Sequence, residues 1–72
     1  MIYNYSKLLG RITEKLSTRA CFSEKMGLSE RTISLKLNGK IGWKQEEIIK
    51  ACEILSIDAQ DIPEYFFTLL VQ

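Results

Sequence analysis

The residues of this chain that could do chemistry are binding groups rather than catalytic ones. Arg31, Thr32 and Ser34 stand close together in the segment KMGLSERTISLKLNGK, residues 25–40. Their guanidinium and hydroxyl groups could hydrogen-bond base edges, phosphates or a protein partner. Histidine, the commonest general base, does not occur in the sequence, and neither does a Gly-rich phosphate loop or a nucleophile elbow. We therefore expect a binding protein and not an enzyme.

The cysteines argue against a metal site. Cys21 and Cys52 are the only two, and without histidine they are too few for a structural zinc site. Each falls on the apolar side of a predicted helix, which is typical of a small buried hydrophobe in a reducing cytoplasm. We expect no metal and no cofactor.

Charge divides the chain into two parts. Residues 1–45 carry nine cations and three anions, a balance of +6, whereas residues 46–72 carry one cation and six anions, a balance of −5. Lys and Arg release counterions when they neutralise phosphates, so the first part suits a polyanion. The same charges could simply solvate helix faces, but nine cations around one motif favour a binding patch.

Length and hydropathy indicate one soluble domain. The chain has 72 residues, of which 46% are hydrophobic and 26% charged, and it contains no repeat, so residues 1–72 form a single domain. Its longest apolar runs fall far short of a membrane span, and its first residues lack the pattern of a secretory signal. We expect a cytoplasmic protein.

Apolar residues at helical spacing predict an all-α fold with five helices. The first begins near Asn4, a suitable N-cap, and contains Gly10, whose cost in a helix suggests a closely packed neighbour. The second covers about residues 18–26 and is capped by Ser17 or Thr18. The core side chains predicted for these helices are Tyr5, Leu8, Leu9, Ile12, Leu16, Ala20, Cys21, Phe22 and Met26.

The third helix follows a turn at Gly27 and runs from its N-cap, Ser29, to about Leu37. Ile33 and Leu37 lie on its inner face. The residues that lie broadly on its outer face are Arg31, Thr32, Ser34 and Leu35. This helix is therefore predicted to pack by one side and to present the other to a partner.

The remaining helices follow the Asn38-Gly39 stop and a loop over residues 40–43. Residues 44–55, KQEEIIKACEIL, form a fourth helix whose early acidic residues suit the helix dipole. A short fifth helix has Pro63 in its first turn, and Trp43 is a core or lid residue. The predicted core residues here are Ile48, Ala51, Cys52, Leu55, Ile62, Tyr65 and Phe66.

Residues 18–39, TRACFSEKMGLSERTISLKLNG, resemble the helix-turn-helix of the lambda-repressor-like (XRE, Cro-type) family. The matching positions are Ser23, Gly27, Leu28, Ser29, Ile33, Asn38 and Gly39. The resemblance covers about residues 4–66. More narrowly, YSKLLGRI, ISLKLNGK and EYFF are similar to Cro-like and modulator-of-repression (antirepressor) proteins of temperate phages of Gram-positive bacteria. The resemblance implies a five-helix lambda-repressor-like domain, with its helix-turn-helix at about 18–38, in the cytoplasm of a bacterial host.

Two positions depart from the family pattern. Arg19 stands where the family usually has a glutamine that contacts a DNA phosphate, and an arginine can make that contact by charge. Leu35 stands where members commonly place an Arg or Gln that reaches bases. A leucine there could touch a thymine methyl, or it could anchor a protein partner.

The resemblance implies a regulator of the switch between lysogenic and lytic growth, with two alternatives. An antirepressor would act through a complex with the phage repressor and/or its operator DNA. A Cro-like repressor would bind double-stranded operator DNA directly, with its third helix in the major groove, and a homodimer would match a palindromic operator. The candidate binding residues for either are Arg19, Glu30, Arg31, Thr32, Ser34, Leu35, Lys36, Lys40 and Lys44.

Overall fold

A computed structural model describes residues 3–70 as five α-helices and one short 3-10 turn. The helices are α1 (Ser6–Leu16), α2 (Arg19–Met26), α3 (Glu30–Leu37), α4 (Gln45–Leu55) and α5 (Ile62–Phe66), and the 3-10 turn (Ala59–Asp61) precedes α5. The predicted all-α fold with five helices is confirmed. None of these helices is long and apolar enough to cross a membrane.

Local signals in the sequence set the ends of α2 and α3. Thr18 and Ser29 are their N-caps, and each side-chain oxygen accepts a backbone N–H, from Cys21 and from Thr32 respectively, at 3.1 Å. Gly27 ends α2 with φ at 74°, a left-handed conformation that glycine adopts without steric cost. The predictions for the α3 cap and for this glycine are confirmed, and Thr18 rather than Ser17 caps α2.

The helices pack around one apolar core. Ile33 and Leu37 are both buried, which confirms the predicted orientation of α3. Ile57 is also buried. The sequence did not predict this, because Ile57 follows α4 in a segment without helical periodicity. The largest fully buried side chains are Phe22, Phe66, Leu8, Ile12, Ile33 and Leu55.

Two predictions about the first two helices are wrong. Ala20 is exposed, because the buried face of α2 consists of Phe22, Ser23 and Met26. The Ser23 hydroxyl donates to the Ala20 carbonyl at 2.8 Å, so this small polar side chain is buried with its hydrogen bond made. Gly10 is exposed, and a Cβ atom there would meet no atom of residues 3–70 within 4 Å, so none of the described residues packs closely against it.

We expect Gly10→Ala to raise the free energy of unfolding by about 1 kcal/mol, because alanine favours the helix and restricts the unfolded chain. Thermal denaturation followed by circular dichroism should show a Tm increase of roughly 4–8 °C. Gly27→Ala is the matched control, since alanine is strained at a φ of 74° and should lower the Tm. An unchanged or lower Tm for Gly10→Ala would contradict the open surroundings of this glycine.

The two cysteines differ in burial. Both carry free thiols, and Cys52 is buried as predicted, whereas Cys21 is only half-buried. Burial raises the pKa of the Cys52 thiol, which keeps it protonated and unreactive near neutral pH. Cys52 is therefore a packing residue of α4.

The segments that flank the helices meet beside α1. The backbone N–H of Asn4 donates to the Thr68 carbonyl at 2.7 Å, and Tyr3 and Leu69 form an antiparallel bridge. Tyr5 is the N-cap residue of α1, so the prediction that Asn4 caps this helix is wrong by one residue. The Asn4 side chain still accepts the N–H of Ser6, the first residue of α1, at 2.8 Å. These contacts join residues at opposite ends of the described chain.

Candidate functional site

The predicted binding residues differ in exposure. Arg31 is exposed, whereas Thr32, Ser34 and Leu35 are half-buried. The Ser29 hydroxyl donates to the Thr32 hydroxyl at 2.9 Å, so the Thr32 side chain is held against the N-cap of α3. The other exposed members of the set are Arg19, Glu30, Lys40 and Lys44. We call Glu30, Arg31, Thr32, Ser34, Leu35 and Lys40 the α3 surface.

Arg19 and Lys44 lie at the margins of α3. Arg19 is the first residue of α2, and it lines a cleft together with Leu37 and Asn38 at the end of α3. Lys44 is the N-cap residue of α4, beyond the loop that follows α3. The fold therefore places Arg19 at the same cleft as the C-terminal end of α3.

Lys36 does not belong to this surface. The residue is only 4% exposed, its Nζ lies 2.7 Å from Oε1 of Glu47, and it donates to the Gly42 carbonyl at 2.8 Å. The same ammonium lies 5.7 Å from the centre of the Trp43 ring. The prediction that Lys36 contacts DNA or a partner is wrong, because its charged end is turned inward and fixes the loop between α3 and α4.

Glu47 is the acceptor at the centre of this buried group. Its Oε1 atom accepts the backbone N–H of Lys44 at 2.8 Å, a capping interaction at the start of α4. Burial by itself raises the pKa of Glu47, but the hydrogen bonds from Lys36 and Lys44 outweigh it, so the pKa lies below its ordinary value of 4.5. Helical periodicity alone could not reveal an ion pair that closes a loop.

We expect Glu47 to contribute stability that is present above about pH 4.5 and is lost as the pH falls through its lowered folded-state pKa. Glu47→Gln should remove this part of the pH dependence. Urea unfolding at pH 7 and at about pH 3 would then differ less for the variant than for wild type. Glu46→Gln, at the exposed neighbouring residue, is the control. Equal pH dependence in wild type and Glu47→Gln would argue against the buried pair.

Three of the nine cations in residues 1–45 form ion pairs with other residues of the domain. Lys36 is one, and Lys7 pairs with Glu64 at 2.7 Å. Arg11 pairs with Glu14 at 2.9 Å and donates to two carbonyls at the C-terminal end of α4, each at 3.0 Å. Of these three only Lys36 was a predicted binding residue, so the exposed cations that remain in the predicted set are Arg19, Arg31, Lys40 and Lys44.

A second surface was not predicted from the sequence. An open groove of about 550 Å³ lies between α4 and α5, and we call it the α4–α5 groove. Ile49 and Phe67 in its walls are 52% and 47% exposed, which is unusual for two large apolar side chains that line the same groove. The complete lining is Trp43, Gln45, Ile48, Ile49, Ile62 and Phe67. The adjacent Ile48 and Ile49 indicated in the sequence that α4 exposes an apolar side chain, since a helix with one buried stripe leaves one of two adjacent isoleucines outside.

Trp43 connects this groove to the core. Its ring meets Phe66 edge to face at a centroid distance of 5.2 Å and lies 6.3 Å from the ring of Tyr5. Its Nε1 atom is buried and has no hydrogen-bond partner among the described residues. Trp43 is thus partly buried against the core while it forms one wall of the groove, which agrees with its predicted place as a core or lid residue.

Comparisons with known proteins place the chain in a family. The family model described as "Protein of unknown function (DUF739)" matches residues 1–69. The solution structure of the modulator of repression (MOR) of the temperate bacteriophage TP901-1 from Lactococcus lactis is 60% identical in sequence, with a TM-score of 0.81 over 93% of this chain and 90% of that one. No curated protein matches the chain.

The similarity to MOR confirms the predicted resemblance to modulator-of-repression proteins. The wider resemblance to the lambda-repressor-like family remains a prediction. The match to the family model extends over far more than half of the sequence. The chain therefore belongs to the DUF739 family.

Proposed function

We propose that this protein is a phage antirepressor, which controls the choice between lysogenic and lytic growth through a complex with the phage repressor and/or its operator DNA. The observation that carries the proposal is the 60% identity to a phage modulator of repression over 93% of this chain. Identity at this level over nearly the whole domain extends to surface residues as well as to the core. The proposal assigns the protein a binding role and no catalytic one.

The α3 surface is the contact region that we propose for the repressor or the operator. Arg31 is exposed, and arginine is enriched among the residues that dominate protein interfaces. Leu35 is half-buried, so part of its side chain remains available as an apolar contact. Arg19, Lys40 and Lys44 lie exposed around them and could hold phosphates or acidic side chains.

A Cro-like repressor that binds operator DNA directly is the second candidate. The exposed cations Arg19, Arg31, Lys40 and Lys44 favour it, since phosphate contacts supply much of the affinity for DNA. Lys36 is the remaining cation among the candidate binding residues, and its burial weakens this alternative. Glu30, at the first position of α3, would also set a carboxylate against the DNA.

If the protein binds operator DNA, Lys40→Ala and Lys44→Ala should each weaken binding about equally for all sequences and flatten the salt dependence by roughly one unit. Fluorescence anisotropy with labelled DNA at several salt concentrations would measure both effects. Lys7→Ala is the control, because the Lys7 ammonium pairs with Glu64 inside the domain. An unchanged salt dependence in both variants would remove these lysines from the DNA-binding surface.

Size-exclusion chromatography with light scattering tests the proposed function. The protein is run alone, with the full-length repressor of the same phage, and with promoter DNA. An antirepressor should form a complex with the repressor, and the mass of that complex gives its composition. A protein that binds promoter DNA and forms no complex with the repressor would be Cro-like instead.

A further inference from the structure

We propose that the protein associates with itself head to tail, so that the α4–α5 groove of one copy receives the α3 surface of a second copy. This inference goes beyond the proposed function, because it concerns the protein on its own. It rests on two surfaces of the same molecule that match each other in charge and in apolar side chains. The contact depends on salt, and it covers the α3 surface until a partner displaces the second copy.

The receiving surface is an apolar groove with an acidic border. Ile49, in its wall, is 52% exposed. Glu46 and Glu53 lie three residues before and four residues after Ile49 on α4, so they are its neighbours on the helix surface, and both are exposed. Lys50 is the one cation of α4, and its Nζ lies 3.8 Å from the position that a Cβ atom would take at Gly27. The side of α4 next to the groove therefore carries negative charge.

The α3 surface carries the opposite charge next to apolar side chains. The Leu35 carbonyl accepts the backbone N–H groups of Lys40 and Ile41, at 2.8 and 3.4 Å, so the loop after α3 closes on Leu35. Leu35 is half-buried, and Ile41, which borders the α3 surface, is 41% exposed. Arg31 lies four residues before Leu35 on the helix and is exposed, as is Lys40. Glu30, the one anion of the α3 surface, lies at the other end of α3.

These charges select the occupant of the groove. DNA phosphates are repelled by Glu46 and Glu53. Two copies joined groove to groove through a two-fold axis would bring the same carboxylates together. A second copy that presents its α3 surface instead sets cations against carboxylates and apolar side chains against the apolar walls. The whole chain has the same asymmetry, with a balance of +6 over residues 1–45 and −5 over residues 46–72.

A head-to-tail contact has a consequence for binding. It leaves a free groove on one copy and a free α3 surface on the other, so copies add one after another unless the rotation between them closes a ring. Most copies in such an assembly have their α3 surface covered. A repressor or an operator that binds the α3 surface therefore competes with self-association, and dilution or added salt releases the surface.

Sedimentation equilibrium of the full chain tests the contact. The weight-average mass should rise with protein concentration at about 0.05 M salt, and the association constant should fall at least about tenfold at about 0.5 M salt. Ile41→Glu and Ile49→Glu should each stay monomeric where wild type associates, because each sets a carboxylate into the contact. Ile49→Leu, which keeps an apolar side chain, should associate like wild type. Both replaced side chains are exposed, so the circular-dichroism spectra should not change.

A mixture of the two variants separates this arrangement from a symmetric one. Ile41→Glu keeps its groove and Ile49→Glu keeps its α3 surface, so an equimolar mixture should form one contact and stop at a dimer. In a symmetric groove-to-groove contact, Ile41→Glu would associate by itself.

Trp43 gives a second readout, because it is the only tryptophan in the chain and lines the groove. Its indole N–H resonance in 15N-labelled Ile41→Glu should shift when unlabelled Ile49→Glu is added and stay in place when unlabelled Ile41→Glu is added. In the wild-type protein the same resonance should shift as the concentration is raised. The wild-type measurement keeps the test valid if either variant fails to fold.

The outcomes are distinguishable. Association of wild type, together with a dimer that forms in the mixture and in neither variant alone, supports the inference. A wild-type protein that stays monomeric at every concentration in low salt overturns it. Association of either variant alone overturns it too, as does a mixture that remains monomeric. Each of these results leaves the proposed function standing, because none of the measurements contains the repressor or the operator.

Discussion

Leu35→Glu is expected to leave the protein folded and to reduce its affinity for the cognate repressor at least about a hundredfold. Leu35 lies on the α3 surface and is half-buried within its own domain. A partner that covers it would bury the new carboxylate without a compensating charge, which costs several kcal/mol. Calorimetric titration with the full-length repressor measures the loss, and circular dichroism checks the fold.

Arg31→Glu serves as a second variant of the α3 surface with little expected cost in folding, because Arg31 is exposed. Thr13→Glu, at an exposed position of α1, is the control for the added charge. If Leu35→Glu and Arg31→Glu both bind the repressor as wild type does, α3 is not a repressor contact. If the wild-type protein does not bind the repressor and the two variants lose operator binding, the Cro-like alternative is favoured.

Ile33→Ala is expected to cost about 2–5 kcal/mol of unfolding free energy, because the substitution opens a cavity beneath α3. The Ile33 side chain is fully buried. Small domains have only about 5–15 kcal/mol of net stability, so this loss is a large fraction of the total. Urea denaturation at neutral pH, fitted with the same m-value for wild type and variant, gives the difference in unfolding free energy.

Ile49→Ala is the matched control for that experiment. It is the same substitution at a position of α4 that is 52% exposed, so it should change the unfolding free energy much less. Equal losses of unfolding free energy in Ile33→Ala and Ile49→Ala would contradict the difference in burial between the two side chains. A wild-type midpoint for Ile33→Ala would contradict the orientation of α3 on which the α3 surface depends.

The sequence predicted best what is decided locally. Ser29 and Gly27 set the ends of α3 and α2 through hydrogen bonds and backbone conformation within a few residues, and both were predicted correctly. Ile33 and Leu37 were assigned to the core from periodicity, because an eight-residue helix with a single apolar stripe has one way to pack.

Lys36 shows where such reasoning stops. A lysine in a predicted recognition helix is ordinarily exposed, since burying its charge without a partner is costly. Glu47 supplies that partner from the next helix, and Gly42 supplies an acceptor from the loop. Neither is adjacent to Lys36 in the sequence, so the inward orientation depends on how the loop closes.

The groove was unpredictable for a related reason. Periodicity indicates that either Ile48 or Ile49 faces outward, but it does not indicate that Phe67 will line the same groove as the outward one. That proximity depends on the packing of α5 and on the contacts of the segment after it with residues 3 and 4. Contacts between distant parts of the chain leave no periodic pattern in the sequence.

An antirepressor must lower the occupancy of the operator by its repressor. The most direct measurement is a mobility-shift assay in which labelled operator DNA is bound by the full-length cognate repressor and then titrated with this protein. The expected result is that the repressor–operator band is depleted and free operator reappears as the protein is added. A repressor–operator band that persists at saturating protein, with a shift of the operator by this protein alone, would contradict the antirepressor function.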